Sequence, residues 1–296
     1  MRKFTEADLG NLWKPESPSH KGQNGRVLVI GGSKLFHASI FWAADVASRL
    51  VDLVHFTSPA MENNDLVRVK AKEKLWSGIV VPWEKVEEYV GEDDCVLIGP
   101  GMSRSEGLME GERPTGEVVN GLLAKFPDRR WVVDGGALQE GDPKWLNASY
   151  IITPHKGEWE GLIEKMQNEK IKMQNDSLKS KNYEDLEELA DLVARVSREL
   201  RGVTILVKGV VDVVARGDET VVVEGGNEGM TKGGTGDVLA GLTAAFYAKN
   251  GGLLAAAAAA FVNKKAGESL YERVGPNFNA GDLVAEVPRV LKELLG

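Results

Sequence analysis

Short apolar runs that stop at glycine, proline or an acid, each followed by a stretch with helical spacing, constrain this chain more than any other feature. RVLVIGG (Arg26–Gly32) is the first such run and reads as a buried strand stopped by two glycines. SIFWAADVASRL (Ser39–Leu50) then has apolar residues at helical spacing, and DLVHFTSP returns as a strand with a proline stop. Strand, helix, strand in that order predicts a βαβ unit and a parallel sheet. CVLIGPG (Cys95–Gly101) repeats the strand and glycine loop, TGEVVNGLLAKF (Thr115–Phe126) reads as a helix, and WVVDGGAL (Trp131–Leu138) as a strand with an acid at its end. YIITPHKGEWEGL (Tyr150–Leu162) reads as a strand, a turn and a helix start. VTILVKGVVDVVARG (Val203–Gly217) reads as two strands, with TVVVEGG completing a hairpin and helices dominating from Val238 onward. The pattern predicts an open α/β sheet, in which ligands bind beyond the carboxyl ends of the strands.

Composition narrows the function. The 296 residues are 43% hydrophobic and 27% charged, an ordinary globular balance. A formal net charge of -8 repels a phosphate backbone and argues against nucleic acid as a partner. A small phosphorylated ligand is still allowed, because a few N–H groups bind it locally. The lone Cys95 can form no intrachain disulfide, which fits a reducing, cytoplasmic compartment. MRKFTEADLG has no apolar signal-peptide core. The longest apolar tract, Leu253–Val262, is too short to span a bilayer and reads as a buried helix, so no membrane partner is expected. One region looks inserted: residues 164–183 are polar and carry KMQN at Lys165–Asn168 and again at Lys172–Asn175. They read as an exposed extension of a single domain covering residues 1–296.

The sharpest chemistry lies in NEGMTKGGTGDVLAGLTAAF (Asn227–Phe246). Gly233, Gly234 and Gly236 clear side chains from a short turn ahead of an apolar helix. The unpaired N–H groups and positive dipole of that helix start would form an anion hole for a phosphoryl group. Asp237 stands at its mouth. An acid is not needed to bind phosphate, so two readings compete: helix cap, or base taking a proton from a hydroxyl that attacks phosphorus. The three glycines ahead of it favour the base. Lys232 either neutralises phosphate or is solvated. The loop is not a Walker A motif, and GGSK (Gly31–Lys34) lacks both the Walker A and the GxGxxG spacing, which speaks against an ordinary dehydrogenase.

Other positions stay open on residue grounds. GPG (Gly99–Gly101) is a rigid turn or a place where a ligand lies on bare backbone. His155, between Pro154 and Gly157, reads as a ligand contact. Glu158 and Glu160 either hold magnesium through water or cap a helix, and Asp134 either orients a ligand or caps a turn. Lys208, at the end of ILVKG, meets a phosphate or lies in a surface turn. His20, His37 and His55 are too scattered for a zinc site, and no protein-caged metal is expected.

Taken in order, HKGQNGRVLVIGGS, LIGPGM, VVDGGAL, IITPHKGEWEGL, LVKG and NEGMTKGGTGDVLAGL resemble the ADP/ATP-dependent NAD(P)H-hydrate dehydratase family, from about His20 to the C-terminus. The resemblance implies a ribokinase-like three-layer α/β fold with a central, mostly parallel sheet. It implies nucleotide-dependent dehydration of (6S)-NADHX and (6S)-NADPHX by phosphorylation of the hydrate hydroxyl and elimination of phosphate. ADP is the favoured donor over ATP, with Mg2+ bridging phosphate oxygens. Asp237 then looks like the base, and Ala38, Gly101, His155 and Asp237 match positions that contact the hydrate. Lys208, Gly209, Val210, Val211 and Asp212, with Asn227, Glu228, Gly229, Met230, Thr231, Lys232, Gly233, Gly234, Thr235 and Gly236, look like the nucleotide-binding segments. Homo-oligomers are common in the family. The epimerase domain often fused to it is not expected here, because few residues precede His20.

This sequence departs from the family at GGSKLFHASIFW, where His37 rather than glycine precedes Ala38 and one residue is missing. Phe36, His37 and Trp42 are therefore expected to reshape the substrate pocket. Two other functions compete: a kinase of the same fold acting on another small alcohol, such as a vitamin precursor, and a non-enzymatic nucleotide sensor.

Overall fold

In the computed structural model, which describes residues 1–74, 78–168 and 185–296, ten strands form one sheet. In chain order they are β1 (Arg2–Lys3), β2 (Arg26–Ile30), β3 (Leu53–Thr57), β4 (Ile79–Val80), β5 (Cys95–Ile98), β6 (Trp131–Val133), β7 (Tyr150–Ile152), β8 (Thr204–Val207), β9 (Asp212–Arg216) and β10 (Glu219–Val223). Their order in the sheet is β1-β10-β9-β8-β7-β6-β5-β2-β3-β4. From β4 to β8 every pairing is parallel; β9 runs antiparallel to both β8 and β10, as the hairpin reading requires.

Strand alternation explains why these runs are apolar on both sides. Val27 and Val29 enter one core with α1 (His37–Ala47), α8 (Thr235–Tyr247), α9 (Gly252–Val274) and α10 (Ala280–Leu295). Leu28 and Ile30 enter the other with α3 (Val86–Glu92), α4 (Thr115–Lys125), α5 (Gly135–Glu140), α6 (Lys156–Asn168) and α7 (Leu186–Glu199). The result is a three-layer architecture with helices on both faces of a mostly parallel sheet. The remaining helix, α2 (Met61–Lys74), follows β3. The Leu253–Val262 tract lies inside α9, where Ala255–Val262 are buried. Among the described residues no helix is long and apolar enough to cross a membrane.

Several boundaries differ from the sequence reading. β6 stops at Val133, and Gly135 and Gly136 already belong to α5, not to a strand. α8 begins at Thr235, ahead of the expected Val238, because Gly234 at φ 96° turns the chain into the helix early. Residues 164–168 complete α6, with Met166 fully buried and Lys165 donating to the carbonyls of Gln139 and Gly141. Residues 169–183 of the expected insertion, including the second KMQN, lie outside the described residues.

The sheet also fixes where a ligand can enter. β2 has β3 on one side and β5 on the other, so the chain reverses its direction of travel across the sheet there. The loops after β2 and β5 separate at that point and are tied by Gly32 N–H donating to Pro100 C=O at 2.7 Å. This crevice is where open α/β sheets bind ligands.

Candidate active site

Four loops converge at the carboxyl ends of β5 to β8. The loop after β7 and the loop after β8 lie side by side through a parallel bridge between His155 and Lys208. Asp134 follows β6, and the start of α8 faces them. Lys208 carries the positive charge of the cluster. Its Nζ is 2.9 Å from Asp134 Oδ1 and 3.9 Å from Glu158 Oε2. Desolvation lowers the proton affinity of Lys208, but Asp134 and Glu158 outweigh it and hold its pKa above the ordinary value. Its Nζ also lies 3.7 Å from where a Cβ on Gly236 would stand, so the missing side chain leaves the ammonium close to the first turn of α8. Lys208 is thus neither a surface-turn residue nor unpaired.

Asp237 is the third residue of α8, inside its first turn; the N-cap is Gly234. The cap reading is therefore wrong for Asp237. Burial pushes its carboxyl up to about 7, with the negative charges of Asp134 and Glu158 adding to the rise and a Ser39 hydrogen bond and Lys208 opposing it. An acid poised near neutrality can accept a proton at working pH.

Gly234 is turned by its positive φ, and a Cβ there would stand 2.4 Å from the Trp42 ring. Trp42 packs against Gly234 of the glycine loop, while Phe36 and His37 are exposed at the start of α1. Gly101, at φ 68°, lets the post-β5 turn press on α1: a Cβ would stand 2.4 Å from Phe36 O and 3.0 Å from Ser39 Cβ. Ser39 therefore lies between Gly101 and Asp237 and next to Ala38 in the chain. Sequence reasoning passed over Ser39, because a serine in a helical stretch gives no local signal.

His155 stays exposed, as a ligand contact requires. Glu158 is buried and acts as a helix cap: its Oε2 accepts from His155 N–H at 2.9 Å, and Glu158 N–H donates to His155 Nδ1 at 3.2 Å. Its Oε1 accepts from Gln139. Glu160 points outward. Among the described residues no group of three His, Cys, Asp or Glu is arranged to hold a metal.

A cleft of about 460 Å³ opens beside this cluster. Lys208, Gly209, Val210, Asp212, Asn227, Glu228, Met230, Thr231, Thr235 and Gly236 line it, together with Gly225, Gly226, Leu239, Asn263 and Lys264. Five of the expected nucleotide residues do not line it. Val211 packs against the second core, Gly229 lies on the Phe278 ring, Gly233 faces open space and Gly234 is seated on Trp42. Lys232, exposed, donates to the carbonyls of Pro276 and Phe278 and lies over the Phe278 ring, so it ties the loop down.

α9 shapes the cleft from behind. Lys264, buried, donates to Gly209 O at 3.1 Å, Val210 O at 2.9 Å and Gly225 O at 3.2 Å, and pairs with Asp212 at 3.5 Å. Glu268, one turn on, accepts from Gly226 N–H at 2.9 Å. The buried amide atoms Asn263 Oδ1 and Asn227 Nδ2 have no hydrogen-bond partner among the described residues. Unpaired buried polar atoms in a cleft wall fit a polar ligand. The sequence reading singled out none of these α9 residues.

Comparison with known proteins gives the family and the fold. The family model described as NAD(P)H-hydrate dehydratase matches residues 27–289. An ADP-dependent (S)-NAD(P)H-hydrate dehydratase from Cenarchaeum symbiosum is 34% identical over 93% of this chain and 91% of its own length. A bifunctional NAD(P)H-hydrate repair enzyme from Methanocaldococcus jannaschii is 32% identical over 96% of this chain. The chain spans only 52% of that relative's length. The fold matches a ribokinase-like superfamily protein of Enterococcus faecalis at TM-score 0.79 and 22% identity, covering 99% of this chain and 96% of that one. It also matches the ADP/ATP-dependent NAD(P)H-hydrate dehydratase of Bacillus subtilis at TM-score 0.73 and 20% identity, covering 99% and 98%. With a family model running nearly end to end and a relative of comparable length, this chain belongs to the NAD(P)H-hydrate dehydratase family.

Proposed function

We propose that the protein dehydrates (6S)-NADHX and (6S)-NADPHX at the expense of a nucleotide, acting as a single domain over residues 1–296. The observation that carries this reading is Asp237, a half-buried acid shifted to about 7 in the first turn of α8, beside Lys208 and a nucleotide-sized cleft. Asp237 takes the proton of the hydrate hydroxyl as that oxygen attacks the terminal phosphorus of the donor. The Lys208 ammonium and the first-turn N–H groups of α8 stabilise the transferring charge. Ala38, Gly101 and His155 position the hydrate; the His155 Nδ1 already accepts from Glu158 N–H, which leaves Nε2–H to donate. Phosphate is a far better leaving group than hydroxide. It departs with the C–O electron pair, pushed by the ring nitrogen, and loss of a proton from the neighbouring ring carbon restores the reduced nicotinamide.

The donor we favour is ADP, as the names of the Cenarchaeum symbiosum and Nitrosopumilus maritimus relatives say of those proteins. The Bacillus subtilis protein was co-crystallised with ATP and Mg2+. Here Asp134 and Glu158 are already paired with Lys208, Thr153 and Gln139, so Mg2+ would be carried in by the nucleotide instead of being caged by these carboxylates. When bound it neutralises phosphate charge. A cytoplasmic homo-oligomer without nucleic-acid partners completes the proposal. Light scattering on the full chain should return a multiple of 32.1 kDa; a single-chain mass would remove the oligomer.

The test is direct. NADH hydrate, Mg2+ and either ADP or ATP are incubated with the protein and absorbance is followed at about 340 nm, where the reduced nicotinamide absorbs. A nucleotide-dependent rise, faster with ADP, is expected. Folded protein and verified substrate with no rise for either nucleotide overturns the reading and points to a kinase of another small alcohol.

A further inference from the structure

Asp134 is a buried acid of the site that the reaction above leaves without a task. It is 3% exposed and stands at the N-cap position of α5, yet its side chain makes no cap bond there. An aspartate at that position ordinarily places an oxygen on the helix N–H groups. Here Oδ1 accepts instead from Thr153 Oγ1 at 2.6 Å and from Lys208 Nζ at 2.9 Å. Both partners come from the rims of neighbouring strands, so Asp134 joins the ends of β6, β7 and β8. The need for a cap does not explain a carboxylate aimed this way; its buried charge is matched instead by the Lys208 ammonium and the Thr153 hydroxyl.

We propose that Asp134 is a positioning residue for phosphoryl transfer, anchoring the Lys208 ammonium beneath Gly236 while presenting its own buried charge to Asp237. This rests on the dehydratase reading for its chemistry, though not for its test. The long lysine stem would otherwise sample several rotamers, and a charge held in place does more for a developing phosphoryl charge than a mobile one. The groups that face Asp237 are Ser39 from α1, Asp134 after β6, Glu158 from α6 and Lys208 after β8. Among the charged groups, Asp134 has the largest effect on Asp237 and acts to raise its proton affinity. One residue therefore serves both ends of the transfer: it fixes the cation that meets the phosphate and keeps the base able to hold a proton near neutrality.

Three variants test this: Asp134→Asn, which keeps the shape and removes the charge, Asp134→Glu, which keeps the charge, and Lys208→Met, which removes the cation. The first readout needs no turnover. The side-chain carboxyl 13C signal of Asp237, assigned by its loss in Asp237→Asn, is titrated in each folded variant. Asp134→Asn should lower its midpoint by about one pH unit, Lys208→Met should raise it, and Asp134→Glu should bring it back toward wild type. The second readout is calorimetric binding of Mg2+·ADP, which Asp134→Asn should weaken roughly tenfold. An unmoved midpoint in Asp134→Asn, shifts of the same sign in Asp134→Asn and Lys208→Met, or unchanged ADP affinity would each overturn the proposal, since a merely structural role predicts them. Absence of hydrate turnover in wild type, with the opposite-signed shifts intact, counts against the dehydratase reading and leaves the Asp134 assignment standing.

Discussion

Asp237→Asn should lower kcat for hydrate dehydration by about 10³-fold, with KM for the hydrate and for ADP changed by no more than about threefold. The amide keeps the size and the hydrogen-bonding reach of the acid, so ground-state contacts survive. It cannot accept the hydroxyl proton, so the loss falls on the transition state. In wild type, kcat should rise with pH through a limb near 7, because the carboxyl sits at about 7 and only its ionised form is a base. The variant should lose that limb. A fall in kcat below about tenfold, or an equal rise in KM, would assign Asp237 to binding instead.

The same substitution should stabilise the protein. The folded carboxyl titrates at about 7 and the ordinary value is 3.8. Between those values the native state holds a proton that the unfolded chain has released, so stability falls as pH rises from about 4 to 7. Asparagine has no such cost. Its advantage should be small at pH 5 and reach about 2 kcal/mol at pH 8, a figure discounted for water in the open cleft. Denaturant melts at the two pH values check the sign.

The second large effect is expected from Lys264→Met. Lys264 is buried, with three carbonyl partners and the buried Asp212. Burial pushes Asp212 up to about 6 even with Lys264 and the Gly209 N–H opposing the rise. Removing the lysine leaves that acid without its cation and frees both turns of the cleft. A loss of about 3 kcal/mol of stability is expected. The folded pKa of Asp212 rises further in the variant, so the native state binds the extra proton over a wider range. The deficit should therefore deepen from pH 5 to pH 8. ADP affinity should fall with it, because Gly209, Val210 and Gly225 lose the tie that sets their spacing. Urea titrations at both pH values, with ADP calorimetry on the folded variant, measure the two effects; a deficit that shrinks with pH would show Asp212 is not what Lys264 compensates.

Much of the molecule was legible before any coordinates. β2, β3, β5, β7 and the β9–β10 hairpin lie where the apolar runs stop, since a strand buried on both faces must be apolar throughout and its turn must not be. The GGTGD element was legible because three near-consecutive glycines before an apolar helix have few uses. The misses share one cause. Asp134, Lys208 and Lys232 were ambiguous, and Ser39, Lys264 and Glu268 were passed over, because each acts on something distant in sequence. Lys208 and Asp134 are 74 residues apart, and Lys264 reaches Gly209 across 55.

The sequence by itself determined the sheet, the layers around it and the glycine-rich start of α8, because hydrophobic periodicity and glycine placement are local properties. Only the tertiary structure decided which charges meet. The ends of β6, β7 and β8 bring Asp134, Thr153 and Lys208 within hydrogen-bond distance, and the packing of α8 against α1 sets Asp237 beside Ser39. A carboxylate's proton affinity depends on its burial and on its neighbours' charges, and neither is written in the residues beside it in the chain.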